Sequence, residues 1–329
     1  MSLRILSAAD VAEALPMAAC IEGMKEAFAQ LSAQEVDMPL RSRVSLPRVG
    51  GVAIFMPAYM KGSDDLAIKV VSWFPGNPAQ GLPAIHAAVL VLDAGTGQPV
   101  ALMEGGSLTA IRTGAGAGAA TDLLAREDAT EVAIIGSGVQ ARTQLEAVCT
   151  VRPVSAVRVY SPNLANAEAF ASEMAGRGPI PDIITVTDSA GAAVRGADIV
   201  CAATSSPSPV FAAADLKPGV HINGVGSFTP QMQEVDVATV ADALVVVDSL
   251  EAAQEEAGDL IVPIEAGVFG WDHVHAELGE IVLGRKAGRT SPTQRTYFKS
   301  VGVGVQDVVA ARIALATAIA RNLGTELAF

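Results

Sequence analysis

Apolar residues recur along this chain with two different rhythms, and the change falls soon after residue 105. From residue 17 to about 33, Ala18, Ile21, Met24, Phe28 and Leu31 lie at helical spacing, which predicts a helix with one apolar face. Ser7 reads as the N-cap of a shorter helix before it, and Pro16 suits the first turn of the longer one. Segments 44–46, 52–57, 66–74, 84–93 and 100–104 read as strands, with Ala94-Gly95-Thr96-Gly97-Gln98-Pro99 as the turn between the last two. Connections this short favour an antiparallel sheet, because a parallel crossover needs a dozen residues or more. A helix is predicted over 107–125, with the small-residue stretch Gly114 to Ala120 allowing another backbone or a ligand to approach closely.

From Glu131 onward, short apolar runs at 132–135, 156–160, 183–186, 198–202, 220–225 and 244–248 alternate with helical stretches, among them 164–174 after the cap Asn163. This is the rhythm of a doubly wound parallel sheet. Helices over 250–257 and 277–283 and a short strand over 296–300 follow. A last helix, 306–322, is apolar all round and is expected to return and pack on the first region.

The first run of the second region is Val132-Ala133-Ile134-Ile135, followed directly by Gly136-Ser137-Gly138-Val139-Gln140-Ala141. Strand, G-x-G-x-x-A turn and helix in that order predict a dinucleotide-binding βα unit. Gly136 permits the tight turn, Gly138 leaves room for a pyrophosphate, and Ala141 lets the helix pack close to the strand. Helix amides from Val139 onward, including that of Gln140, would face the phosphates. The second strand ends Val159-Tyr160-Ser161-Pro162-Asn163, without the acid that commonly holds a ribose 2′-hydroxyl in NAD-preferring domains. Ser161 and Asn163 can donate to a 2′-phosphate, and Arg142 stands on the preceding helix. NADP(H) is therefore the preferred cofactor, with NAD(H) possible. Thr204 and Ser205 follow the fourth strand of this region. Asn223 and Val225 near the end of the fifth, and Ser227 just after it, stand where small polar groups suit a nicotinamide and its ribose.

Composition narrows the picture. Half of the 329 residues are hydrophobic and 17% are charged, so the chain can build a sizeable core. The net charge of −13 disfavours nucleic acid and anionic membrane as partners. Cys20, Cys149 and Cys201 are far apart and odd in number, which predicts free buried thiols and no metal site. No signal peptide or membrane span is apparent, and a cytoplasmic location is expected.

Against this acidic background three basic residues stand out: Arg41 in Pro39-Leu40-Arg41, Lys69 inside the apolar run Leu66 to Val71, and Arg112 in Leu108-Thr109-Ala110-Ile111-Arg112-Thr113. A lysine within such a strand needs a partner, because an unpaired buried ammonium is costly. His273 and His275 have no third ligand nearby and read as a loop or helix start. His86 reads as a packed residue or one that supports a site from behind, and Asp307 as the start of the last helix.

Taken with their contexts, these segments make the chain resemble the ornithine cyclodeaminase/μ-crystallin family over essentially its full length. The pieces are Met38 to Arg41, Met56 to Tyr59, Lys69 to Val71, Leu108 to Thr113, the glycine motif, His221 to Gly226 and Phe298 to Gly302. The resemblance implies a homodimer. It implies an α/β fold in which a Rossmann-type doubly wound parallel sheet domain, 121–304, binds NAD(P). A discontinuous α+β domain, 1–120 with 305–329, binds substrate and forms the dimer. It implies that Arg41, Lys69 and Arg112 surround a substrate carboxylate and form the catalytic set, with Ser227 and Gly302 also at the substrate. Deaminating members carry G-A-D where this chain has Val225-Gly226-Ser227. Serine cannot serve as a carboxylate base near neutral pH. The run Ser227 to Asp236 is similar to the imine-reductase branch. That favours NAD(P)H-dependent reduction of a small cyclic imino acid, Δ1-pyrroline-2-carboxylate or Δ1-piperideine-2-carboxylate. The alternatives are ornithine cyclisation, an alanine-type amino-acid dehydrogenase, and a non-catalytic binder of NADPH or a small carboxylate. An acid near the last helix lies close to the active site in family members.

Overall fold

The computed structural model describes residues 2–328 and divides into two compact units, Met1–Arg112 with Val303–Phe329, and Thr113–Gly302. The expected division at 120 and 305 lies eight residues later at the first junction and two later at the second. The first junction falls inside the helix Gly105–Leu124, just after Arg112.

The first unit is a mostly antiparallel eight-stranded sheet. In spatial order its main path runs Thr325–Ala328, Ser2–Leu6, Pro99–Glu104, Ile85–Asp93, Asp65–Trp73, Gly51–Met60 and Val36–Asp37, and Ser42–Leu46 also pairs with Gly51–Met60. The strand Ser2–Leu6 pairs parallel with Pro99–Glu104, the one parallel neighbour on this path. Three strands were not anticipated from the pattern: Ser2–Leu6, Val36–Asp37 and Thr325–Ala328. Each is five residues or fewer and exists only through its partner. The helices Met17–Ser32 and Gly304–Arg321 pack on each other and the latter on the sheet, as expected for the returning C-terminal segment. Their approach is close at Gly23, which lies against Val309 and Ile313.

The second unit is a wholly parallel eight-stranded sheet in the order Ile184–Val186, Ala156–Tyr160, Glu131–Ile135, Ile199–Ala202, His221–Gly224, Thr296–Lys299, Leu244–Val247 and Val274–Glu277. Adjacent residues of each strand feed opposite faces. Ala133 and Ile135 join one apolar cluster with Val200, Ile222 and Val245, while Val132 and Ile134 join the other with Val157, Ile199 and Cys201. Two covered faces explain why these strands read as continuous apolar runs. The segment at His273 and His275, expected as a loop or helix start, is a short helical turn followed by the edge strand Val274–Glu277. The helix Gly258–Glu265 lies beyond the predicted helix 250–257 and carries Pro263 inside it, a residue that weakens any helical signal in the sequence.

The three cysteines are buried and free, and burial pushes each thiol up to about 12. No described helix is long and apolar enough to cross a membrane.

Candidate active site

In the first unit the strand Asp65–Trp73 carries Lys69 inward, so that the side chain is 2% exposed. The helix Gly304–Arg321 delivers Asp307 to the same place, 1% exposed. Lys69 Nζ lies 2.7 Å from Asp307 Oδ2, and Arg112 Nε donates to Asp307 Oδ1 at 2.9 Å. Arg112 Nη1 also donates to Gln306 Oε1 at 2.9 Å, and that oxygen accepts the Val303 N–H at 3.0 Å. Gln306 thus caps the first turn of its helix and fixes the guanidinium at once. Burial pushes the Lys69 ammonium down to about 8. The Arg112 charge adds to the effect, Asp307 opposes it, and the Arg41 charge also reaches Lys69. Arg41 is half-buried just before the strand Ser42–Leu46. His86 is exposed on its strand in the single chain.

In the second unit the strand Glu131–Ile135 runs into Gly136 at φ +105°, where a Cβ would collide with the Ala203 carbonyl. Nothing lies within 4 Å of where a Cβ on Gly138 would stand, and Gly138 is the N-cap of the helix Val139–Val151. Ala141 is fully buried against the strand. A tight turn, an open space and uncapped helix amides fit a dinucleotide pyrophosphate. Ser137 Oγ lies 3.1 Å from Ser161 Oγ, which joins the glycine loop to the end of the second strand. Arg142 donates to the Ser137 and Gly138 carbonyls and pairs with Glu173 at 2.6 Å. Asn163 caps the helix Leu164–Met174 through its side chain. Ser205 is exposed, and Thr204 and Val225 are half-buried.

Three expected ligand residues sit differently. Asn223 is fully buried in mid-strand. Its amide is taken up by Thr121, Cys201 and His221, so it faces the interior and not a ligand edge. Gly302 gives its N–H to Asp248 Oδ2 at 2.7 Å. Ser227 is fully buried in a polar cluster. Its hydroxyl donates to Asp259 and lies 2.7 Å from Lys299 Nζ, which also donates to the Ser227 carbonyl at 2.5 Å. Lys299 pairs with Asp259 at 3.1 Å, and Tyr297 donates to the same carboxylate at 3.0 Å. Lys299, Asp259 and Glu234 escaped the sequence reading, although Lys299 in an apolar strand carries the same signal as Lys69. His273 and His275 each bond a backbone carbonyl, and no cluster of metal-ligating side chains occurs among the described residues.

Comparison with known proteins places this geometry. A Δ1-pyrroline-2-carboxylate reductase of Bacillus cereus is 40% identical over 99% of both chains. The solved Δ1-pyrroline-2-carboxylate reductase of Thermococcus litoralis, in complex with NADH and L-proline, is 42% identical with a TM-score of 0.93, over 98% of this chain and 99% of its own. An archaeal alanine dehydrogenase dimer with bound NAD is 34% identical with a TM-score of 0.92, over the whole of both chains. The profile of the ornithine cyclodeaminase/mu-crystallin family matches residues 1–321, and the chain belongs to that family.

Proposed function

We propose that this protein is an NAD(P)H-dependent imine reductase that converts Δ1-pyrroline-2-carboxylate to L-proline, or Δ1-piperideine-2-carboxylate to L-pipecolate. The observation that carries the reading is a charge balance. Lys69 and Arg112 are buried around the single carboxylate of Asp307, which leaves one positive charge uncompensated. A buried uncompensated charge is expensive, and a substrate carboxylate would neutralise it. The Thermococcus litoralis relative, bound to NADH and L-proline, supports a cyclic amino acid as the product.

Arg112 and Arg41 hold the substrate carboxylate, since a guanidinium matches a planar carboxylate in two-point contact. Lys69 supports the carboxylate with its ammonium. Asp307 and Gln306 keep Arg112 in one orientation. The dinucleotide, when bound, supplies a hydride to the imine carbon while the ring nitrogen keeps a proton. Gly136 to Ala141, Ser161, Thr204, Ser205 and Val225 hold it. Positioning then provides much of the rate. A protonated imine is already electrophilic, so reduction proceeds without the aspartate that deamination requires, and Ser227 serves as a buried support of the surrounding loop.

The cofactor preference is part of the proposal. No acid stands at Ser161, and the Arg142 guanidinium lies at the glycine loop, so NADPH is preferred over NADH. A cytoplasmic homodimer completes the reading, with Trp73 and Ile85, exposed cross-strand partners on one face of the first unit's sheet, offering apolar surface to a second copy.

The test is a steady-state assay of both imines with both cofactors, beside an incubation with L-ornithine and NAD(P)⁺. Rapid imine reduction without ammonia release is expected. Ammonia and proline formed from ornithine at a comparable rate would overturn the assignment.

A further inference from the structure

Glu234 is a fully buried carboxylate with no part in the chemistry described above. Its Oε1 accepts the Thr204 N–H at 2.5 Å and its Oε2 accepts the Gly226 N–H at 2.8 Å. Those two amides belong to the loops that leave the carboxyl ends of Ile199–Ala202 and His221–Gly224, neighbouring parallel strands. One side chain therefore spans both loops. A Cβ on Gly226 would collide with the Thr204 carbonyl and the Glu234 carboxylate, so glycine there is what allows the close approach.

The carboxylate is itself held from behind. The Glu234 and Val235 N–H groups donate to Asp259 Oδ1 at 2.6 and 3.0 Å, and Asp259 is tied to Tyr297, Lys299 and Ser227. The titratable groups facing Glu234 are thus Asp259, Lys299 and Tyr297, two carboxylates in all against one ammonium.

We infer that Glu234 is a positioning residue for the dinucleotide: ionised, it holds the Thr204 and Gly226 loops in the arrangement that receives the nicotinamide end, and protonated, it releases one of them. The inference rests on the reading that these loops receive that end. A carboxylate accepts from both amides, whereas a carboxylic acid turns one oxygen into a donor that faces an N–H. Burial pushes the Glu234 carboxyl up to about 7, with the Asp259 charge acting in the same direction and the Thr204 bonds and the Lys299 charge opposing it. The change of state falls near neutral pH, and cofactor is held more tightly on the alkaline side.

NADH is the probe, because it lacks the 2′-phosphate whose own titration lies near pH 6. Binding to the full-length protein is followed by fluorescence without substrate, from pH 6 to 8.5. In the unsubstituted protein Kd should rise about ten-fold as pH falls from 8 to 6, the scale of one charge-assisted hydrogen bond. Glu234→Gln should bind NADH about ten-fold more weakly at pH 8 and show no pH dependence, because its amide presents a donor to one of the two N–H groups. Ser205→Trp tests the underlying reading, since an indole on that exposed loop position blocks a nicotinamide. If Ser205→Trp leaves NADH affinity intact, the loops do not receive the cofactor and the reading itself fails. If Ser205→Trp weakens NADH while Glu234→Gln keeps the affinity and pH profile of the parent, only the role of Glu234 is overturned. Should Glu234→Gln not fold, hydrogen exchange of the unsubstituted protein decides. Protection of the Thr204 and Gly226 amides that falls between pH 8 and 6 supports the clamp, and constant protection refutes it.

Discussion

Replacing Arg112 by methionine tests the carboxylate site most directly. The methionine keeps much of the apolar stem and removes the guanidinium. Two bonds are lost, to Asp307 Oδ1 and Gln306 Oε1, each 2.9 Å long. The larger effect is on charge. Lys69 and Asp307 remain as a balanced pair, so the buried group of three loses its net positive charge. A unit charge 4 Å from a carboxylate is worth about 4 kcal/mol at an effective dielectric of ~20, and imperfect geometry lowers this. A loss of roughly 2–4 kcal/mol in kcat/KM follows, about 30- to 1,000-fold. KM should rise steeply and kcat should fall, because the substrate is both weakened and misaligned. The assay is steady-state imine reduction at saturating NADPH, with NADPH affinity measured separately by fluorescence. A kcat/KM within three-fold of the parent would refute the reasoning. So would an equal loss of cofactor and substrate affinity, which would make Arg112 a structural residue.

The remaining predictions use the same groups. Lys69 is charged below about pH 8 and neutral above it, so KM for the imino acid should rise as pH increases through 8. Lys69→Met should raise KM at pH 7 and abolish that rise, and a pH-independent KM in the parent counts against the role. Asp307→Asn removes the partner that holds the Lys69 pKa up, so the rise in KM should begin at lower pH. Ser161→Asp should shift preference from NADPH toward NADH by about ten-fold or more, because a charge beside the 2′-phosphate costs roughly 1–3 kcal/mol. An unchanged cofactor ratio would mean the ribose lies elsewhere. Ser227→Ala should leave reductase kcat within about ten-fold but lower unfolding stability by about 1–3 kcal/mol, since Lys299 and Asp259 each lose a buried partner. A collapse of kcat in a fully folded variant would restore Ser227 to the chemistry.

What the sequence disclosed follows the range of the forces involved. The glycine turn was legible because its constraint is local: Gly136 must take a positive φ beside a neighbouring carbonyl. Lys69 was legible because an ammonium in an apolar strand announces a partner, but the partner was not, since Asp307 lies 195 residues from Arg112 and 238 from Lys69 along the chain. The Asp259 contacts were hidden for the same reason, since that carboxylate meets Ser227 and the Glu234 N–H from 32 and 25 residues away. Asn223 shows the converse. A polar residue near a ligand edge reads as a ligand in the sequence, and only the fold reveals that the helix Gly105–Leu124 presents Thr121 to its amide inside the unit. The short strands at either end of the first sheet carry too few residues to show any period and exist by pairing alone.

The interrupted make-up of the first unit fixes an order of assembly on the ribosome. Arg112 is synthesised 195 residues before Asp307, an interval of about 10–40 s at ~5–20 residues per second. Throughout that time the nascent Lys69 and Arg112 have no acid to neutralise them at the site they will occupy, and the sheet that will bury them lacks both its covering helix Gly304–Arg321 and its edge strand Thr325–Ala328. Every strand of the second unit's parallel sheet has been synthesised by then, the last of them Thr296–Lys299. The part of the protein made first is therefore the last able to close, and the N-terminal sheet is the stretch that most depends on protection while translation continues.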